Sequence, residues 1–227
     1  MQRNLMLHVC SHAAIRLATL AVCCTGLASH AFAAKEKRAS AMSEQRINVA
    51  VIDFAHIAVE TRSRAEREAA RILANAGITV VWLDIDPDSP TELPVGAIVL
   101  RLQPTAGPKH DPKALGVALA PEIGDGFYAT IFFDRVRERA ADTVLIETGA
   151  SLAAVMGHAI AHEIGHLLLG TNSHSGSGLM SAVWTVSEVR YLARGQLNFS
   201  PAEAAKMCSQ VARRNAERAQ AEVVKVH

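Results

Sequence analysis

The order of the first three patterned segments limits the fold of this chain more than any other feature. INVAVIDFAHIAV, residues 47–59, is β-rich and reads as a strand running into a loop. SRAEREAARILANAG follows, with Ser63 and Glu66 spaced as a capping box. Its Ala65, Ala69, Ile72, Leu73 and Ala76 fall on one helical face, and Gly77 is placed to end the helix. ITVVWLDI, residues 78–85, is a second strand. A β-α-β opening favours parallel pairing of its two strands.

Further elements follow in the same order of argument. A turn-rich connection leads to a third strand at 97–102. The Pro/Gly stretch 103–116 reads as a surface loop. YATIFFDRV, residues 128–136, is a fourth strand, and its charged end and the long loop before it suit a sheet edge. A long helix is expected over about 151–169. A helix with a Thr185/Glu188 capping box then closes at Gly195. The last helix opens with Ser200 as cap, Pro201 as first residue and Glu203 completing its box. The expected class is α/β (α+β), a small mixed twisted sheet with one central helix and C-terminal helices.

The chain has 227 residues, 50% of them hydrophobic, which suits one domain with a real core. That domain is expected over 47–227, after a flexible lead-in at 34–46. Residues 1–33 carry only Arg3 and Arg16 as formal charges, an apolar run at 17–28, and small residues at Ala31 and Ala33. They read as a secretory signal peptide cut after Ala33, with a membrane anchor as the alternative and a lipoprotein at Cys23 as the weaker one. Removing them takes away Cys10, Cys23 and Cys24 and leaves Cys208 alone, so no internal disulfide is expected. The expected location is periplasmic or secreted, with no stable membrane association after cleavage. Net charge is near zero, and nothing argues for a nucleic-acid partner.

Chemistry concentrates in AHEIGHLLLGTNSHSGSGLM, residues 161–180. On a helix His162 and His166 lie one turn apart and point the same way. Two imidazoles so placed can share one ion, and zinc favours nitrogen donors in tetrahedral geometry with one position kept for water. Glu163 points beside such an ion and can act as general base toward the water and as acid toward a leaving amine. Gly170 can end the helix in a left-handed conformation, letting His174 fold back as third ligand. Met180 then closes a tight loop and can floor the site.

This stretch resembles the metzincin metallopeptidases, whose pattern is H-E-x-x-H-x-x-G-x-x-H followed by a methionine turn. His162, Glu163, His166, Gly170, His174 and Met180 match in order, with one extra residue before the glycine and one after it. The extra helical residue rotates the helix exit by about 100°. The resemblance implies zinc, a peptide or protein substrate, a small sheet before the central helix, and an edge strand that pairs with bound peptide. Together with the leader at 1–33, it implies an exported zinc endopeptidase.

Rival readings of the same residues remain open at this point. Glu188 lies 22 residues past His166 and resembles the third ligand of gluzincin peptidases, but it also serves the Thr185 capping box. A zinc-stabilised binding protein without turnover, or a hydrolase of non-peptide amides or esters, would use the same histidines. His158 shares their helical face and lines the cleft, supports a ligand or has no role. Trp184 and Tyr191 belong to the core or border a substrate pocket. Gly157 and Gly165 inside the helix imply close packing. GFYATIFF, residues 126–133, is the expected peptide-binding edge. The acidic DIDPD, residues 84–88, reads as a turn rather than a calcium loop.

Overall fold

In a computed structural model, which describes residues 45–225 apart from 90, 91 and 121–125, the sheet is built from the centre outward. The leader, its cleavage site and the lead-in up to residue 44 lie outside the described residues. Strand β1 (Arg46–Asp53) pairs in parallel with β2 (Thr79–Ile85) on one side and with β3 (Ile98–Gln103) on the other. Val49 and Val51 on β1 and Ile98, Leu100 and Leu102 on β3 are buried, as an inner parallel sheet requires. Strand β5 (Tyr128–Phe132) continues the parallel run beside β3. Strand β4 (Gly116–Leu119) pairs antiparallel with β5 and closes the order β2-β1-β3-β5-β4. The architecture is the expected α/β class, a mostly parallel five-stranded sheet with helices packed on it.

Two expectations about this sheet are corrected. The pattern of residues 128–136 suggests one edge strand, but β5 stops at Phe132 and is internal. The edge is β4, which begins at Gly116, the last residue of the stretch that reads as a loop. Its four residues take their strand geometry from pairing with β5, Gly116 opposite Ile131 and Leu119 opposite Tyr128. Beyond Phe132 the chain turns into α2 (Phe133–Ala140) and α3 (Thr143–Glu147). Asp142 caps α3 by accepting from the Val144 N–H.

Helix α1 (Val59–Asn75) buries Ala65, Ala69, Ile72 and Leu73, the anticipated face. It starts four residues before Ser63, so Ser63 and Glu66 lie inside it and form no capping box. The earlier start follows from Asp53, whose carboxylate accepts the N–H groups of Ala55 and Ile57 and shapes the entry loop. Glu66 instead lies 3.6 Å from Arg62, which also pairs with Asp84 at 2.9 Å. Gly77 leaves the helix at φ 85°.

Helix α4 (Leu152–Leu169) runs through the middle of the molecule. Ser151 caps it through the Ala154 N–H, and Gly170 ends it in the left-handed conformation at φ 64°. Its length and composition would suit a membrane span, yet almost all of it is buried inside this fold. Gly157 shows how tightly α1 lies against it, since a Cβ there would sit 2.7 Å from the Ala65 carbonyl oxygen. Helices α5 (Val186–Ala193) and α6 (Pro201–Lys225) complete the chain, with the Thr185/Glu188 and Ser200/Glu203 capping boxes both formed. Cys208 is free.

Candidate metal centre

Helix α4 delivers two imidazoles to one point. His162 and His166 are buried, and their Nε2 atoms are 3.1 Å apart. Each Nδ1 meets a backbone carbonyl at 2.8 Å, His162 that of Leu179 and His166 that of Thr171. A carbonyl can only accept, so each Nδ1 is the protonated donor, and each Nε2 keeps its lone pair for a cation. Burial pushes the His162 pKa down to about 4 and lowers that of His166, so both rings are neutral ligands near neutral pH.

The chain after Gly170 brings in the third ring. The Thr171 N–H bonds the His166 carbonyl, and the Asn172 side chain donates to the Ala120 carbonyl beyond β4. Ser175 donates its N–H to the Met180 carbonyl and its hydroxyl to the Glu203 carboxylate on α6. Between these anchors His174 folds back, and one ligand atom from each of His162, His166 and His174 lies within 4.8 Å of the others. His174 is the exposed member. Three nitrogens converging with one side left to solvent suit tetrahedral zinc with an open position. Met180 is fully buried, and its sulfur fills the place that a Cβ on Gly165 would take, 2.7 Å from that position. It therefore packs against α4 at Gly165, where the Phe199 ring lies equally close, and a side chain on that glycine would meet both.

Glu163 faces the same space from the next position along the helix. It is 7% exposed, has no protein hydrogen-bond partner among the described residues, and burial pushes its pKa up to about 8. The backbone of Gly116 on β4 forms its wall: a Cβ there would lie 2.9 Å from the Glu163 Cγ and 2.6 Å from the Thr130 carbonyl oxygen. The edge strand and the three histidines border one cleft of about 870 Å³. Trp184 lines it too, donating its indole N–H to the same Leu179 carbonyl that holds His162.

The other singled-out residues fall elsewhere. The Glu188 carboxylate accepts from the N–H and hydroxyl of Thr185 in its capping box and is no member of the histidine cluster. His158 is wholly buried, bonded to the Ala154 carbonyl at 2.8 Å and 3.7 Å from Glu68, and does not line the cleft. Tyr191 is half-exposed and also outside it. Asp86 accepts from the Asp88 N–H, which makes that acidic stretch a turn. Sequence reasoning missed Gly116, the Leu179 and Thr171 carbonyls and Asn172. The only signal for Gly116 was a short apolar run, GVAL, after a loop.

No protein-family model matches the chain, and no curated protein matches its sequence. Solved structures do. An archaemetzincin from Methanopyrus kandleri has a TM-score of 0.50 at 17% identity, covering 74% of this chain and 96% of its own. The fold is similar to that of an archaemetzincin. A zinc-dependent peptidase from Methanocorpusculum labreanum has a TM-score of 0.46 at 15% identity, covering 70% of this chain and 99% of its own.

Proposed function

We propose that this protein is an exported zinc-dependent metallopeptidase in which His162, His166 and His174 hold the ion and Glu163 moves the proton. One observation carries the reading: three imidazoles with their ligand atoms within 4.8 Å of one another share an open cleft with a buried, unpartnered carboxylate. A closed structural zinc site would have no use for that carboxylate.

Zinc, when bound, supplies a Lewis acid that acidifies water and polarises a carbonyl. The chain's residues do the rest. The Leu179 and Thr171 carbonyls fix the two helical imidazoles in the ligating tautomer. Glu163 accepts a proton from the attacking water at its carboxylate oxygen and returns it to the leaving amine nitrogen. Burial alone holds this carboxyl protonated, and a neighbouring cation offsets that by favouring the ionised base. The substrate backbone pairs with β4, the exposed sheet edge, in place of the internal β5 that the sequence suggested. The leader at 1–33 directs the chain to the periplasm or the medium.

The test is zinc per chain in the parent, His174→Ala and Glu188→Ala proteins, beside casein hydrolysis by the parent and Glu163→Gln. The expected outcome is about one zinc in the parent and Glu188→Ala, little in His174→Ala, and zinc without hydrolysis in Glu163→Gln. A parent that holds zinc tightly and cleaves no peptide from a broad library would instead be a zinc-stabilised binding protein.

A further inference from the structure

At the end of the cleft next to Gly116 sits a cation with unused donors. Arg135, in the first turn of α2, lines the cleft. A guanidinium has five N–H donors in one plane. Here Nη1 donates to the carbonyls of Asp111 and Ala114, which holds the loop leading into β4. The guanidinium lies over the Phe132 ring, 5.7 Å from its centroid. Among the described residues nothing bonds Nε or Nη2, and no carboxylate lies within ion-pair distance.

Its neighbours are accounted for differently. Arg139 is one turn on and also lines the cleft, but it is engaged with the Asp142 carboxylate at 3.2 Å and the Trp184 carbonyl at 3.2 Å. Asp111 turns its carboxylate to the N–H of Lys113 in its own loop. Lys113 and Glu138 are exposed. What remains is the Nε/Nη2 edge of Arg135, a planar two-donor fork of the shape that binds a carboxylate through two parallel hydrogen bonds.

We propose that Arg135 binds a carboxylate of the substrate, from an acidic side chain or a free C-terminus. Strand β4 runs from Gly116, beside Glu163, toward Leu119, and the Arg135 loop precedes Gly116. Antiparallel pairing is the more stable arrangement on a free edge. A peptide bound that way has its C-terminal part at the start of β4, so the recognised carboxylate lies on the C-terminal side of the bond cut. The inference rests on the peptidase reading above and specifies its substrate class.

The experiment measures binding, so that it does not depend on turnover. Zinc-loaded Glu163→Gln protein is titrated with fluorescein-labelled peptide pools in three forms: one glutamate at varied position with an amidated C-terminus, glutamine in its place with the amide, and glutamine with a free C-terminal carboxylate. At least one carboxylate form is expected to bind roughly tenfold or more tighter than the neutral form. Adding Arg135→Gln is expected to abolish that preference, while Arg135→Lys restores part of it. Preference for the first pool identifies a side chain, and preference for the third a C-terminus. Equal binding of all three pools, with the parent still hydrolysing them, overturns the inference and leaves the peptidase reading standing. Equal weakening of all pools by Arg135→Gln overturns it as well, reducing Arg135 to a support for its loop. Pools that are neither bound nor cleaved sink both.

Discussion

Glu163→Gln should change how stability depends on pH in the metal-free protein. The Glu163 carboxyl rises from 4.5 to about 8 through burial. Below 4.5 it is protonated in both the folded and unfolded chain, so it adds no pH dependence. Between 4.5 and 8 the unfolded chain gives up the proton and the folded one keeps it, so stability falls as pH rises, until the folded group also ionises. A tenfold difference in proton affinity between the two states corresponds to about 1.4 kcal/mol, so the full loss is about 5 kcal/mol, of which roughly 3–4 falls between pH 5 and 8. Glutamine has a similar shape and does not titrate. His162, held down at about 4, costs stability as pH falls below its usual range, but it does so in both proteins and cancels. The assay is urea unfolding of parent and variant at pH 5 and pH 8 with a chelator present. The difference between the two proteins should move by about 3–4 kcal/mol in favour of the variant at pH 8. A movement below about 1 kcal/mol would refute the reasoning, because the carboxylate would then be ionised in the folded protein despite its burial.

Two substitutions test the close approaches around α4. On an open helix Gly157→Ala would add about 1 kcal/mol of stability. Here the new Cβ would meet the Ala65 carbonyl at 2.7 Å and the Glu68 Cβ at 2.7 Å, so urea unfolding should show a net loss of about 2 kcal/mol, and a gain would contradict the packing. Gly116→Ala would push a methyl against Glu163 and the Thr130 carbonyl, so kcat on casein should fall about tenfold or more with zinc per chain unchanged. Full activity in that variant would show that β4 does not position Glu163.

The histidine helix is legible in the sequence because every device that defines it is local. Ser151 and Gly170 mark its ends, and the spacing of His162, Glu163 and His166 projects onto one face. The third imidazole of the cluster is harder to read, since a loop residue is placed by distant anchors. His174 is held by Asn172 reaching Ala120 and by Ser175 reaching Glu203, and neither tie shows in sequence. Strand β4 escapes for a related reason. Four residues, GVAL, after a Pro/Gly loop are too short a run to carry a pattern of their own and become a strand only beside β5. The strand ending at Phe132 reads as too long because Phe133 continues its apolar run although α2 has already begun. The start of α1 is misplaced by its sequence signals because the Asp53 carboxylate, not Ser63, organises its entry.

The Leu179 carbonyl accepts both the His162 ring and the Trp184 indole. That one oxygen couples the Trp184 wall of the cleft to the orientation of the His162 ring. A change at Trp184 therefore bears on an acceptor that also orients the His162 ring, one of three imidazoles grouped closely enough to hold a metal ion. Arg135 hangs from α2 and the loop before β4, and it shares no hydrogen bond with the histidines. A substitution at that end of the cleft can therefore leave the imidazole cluster undisturbed.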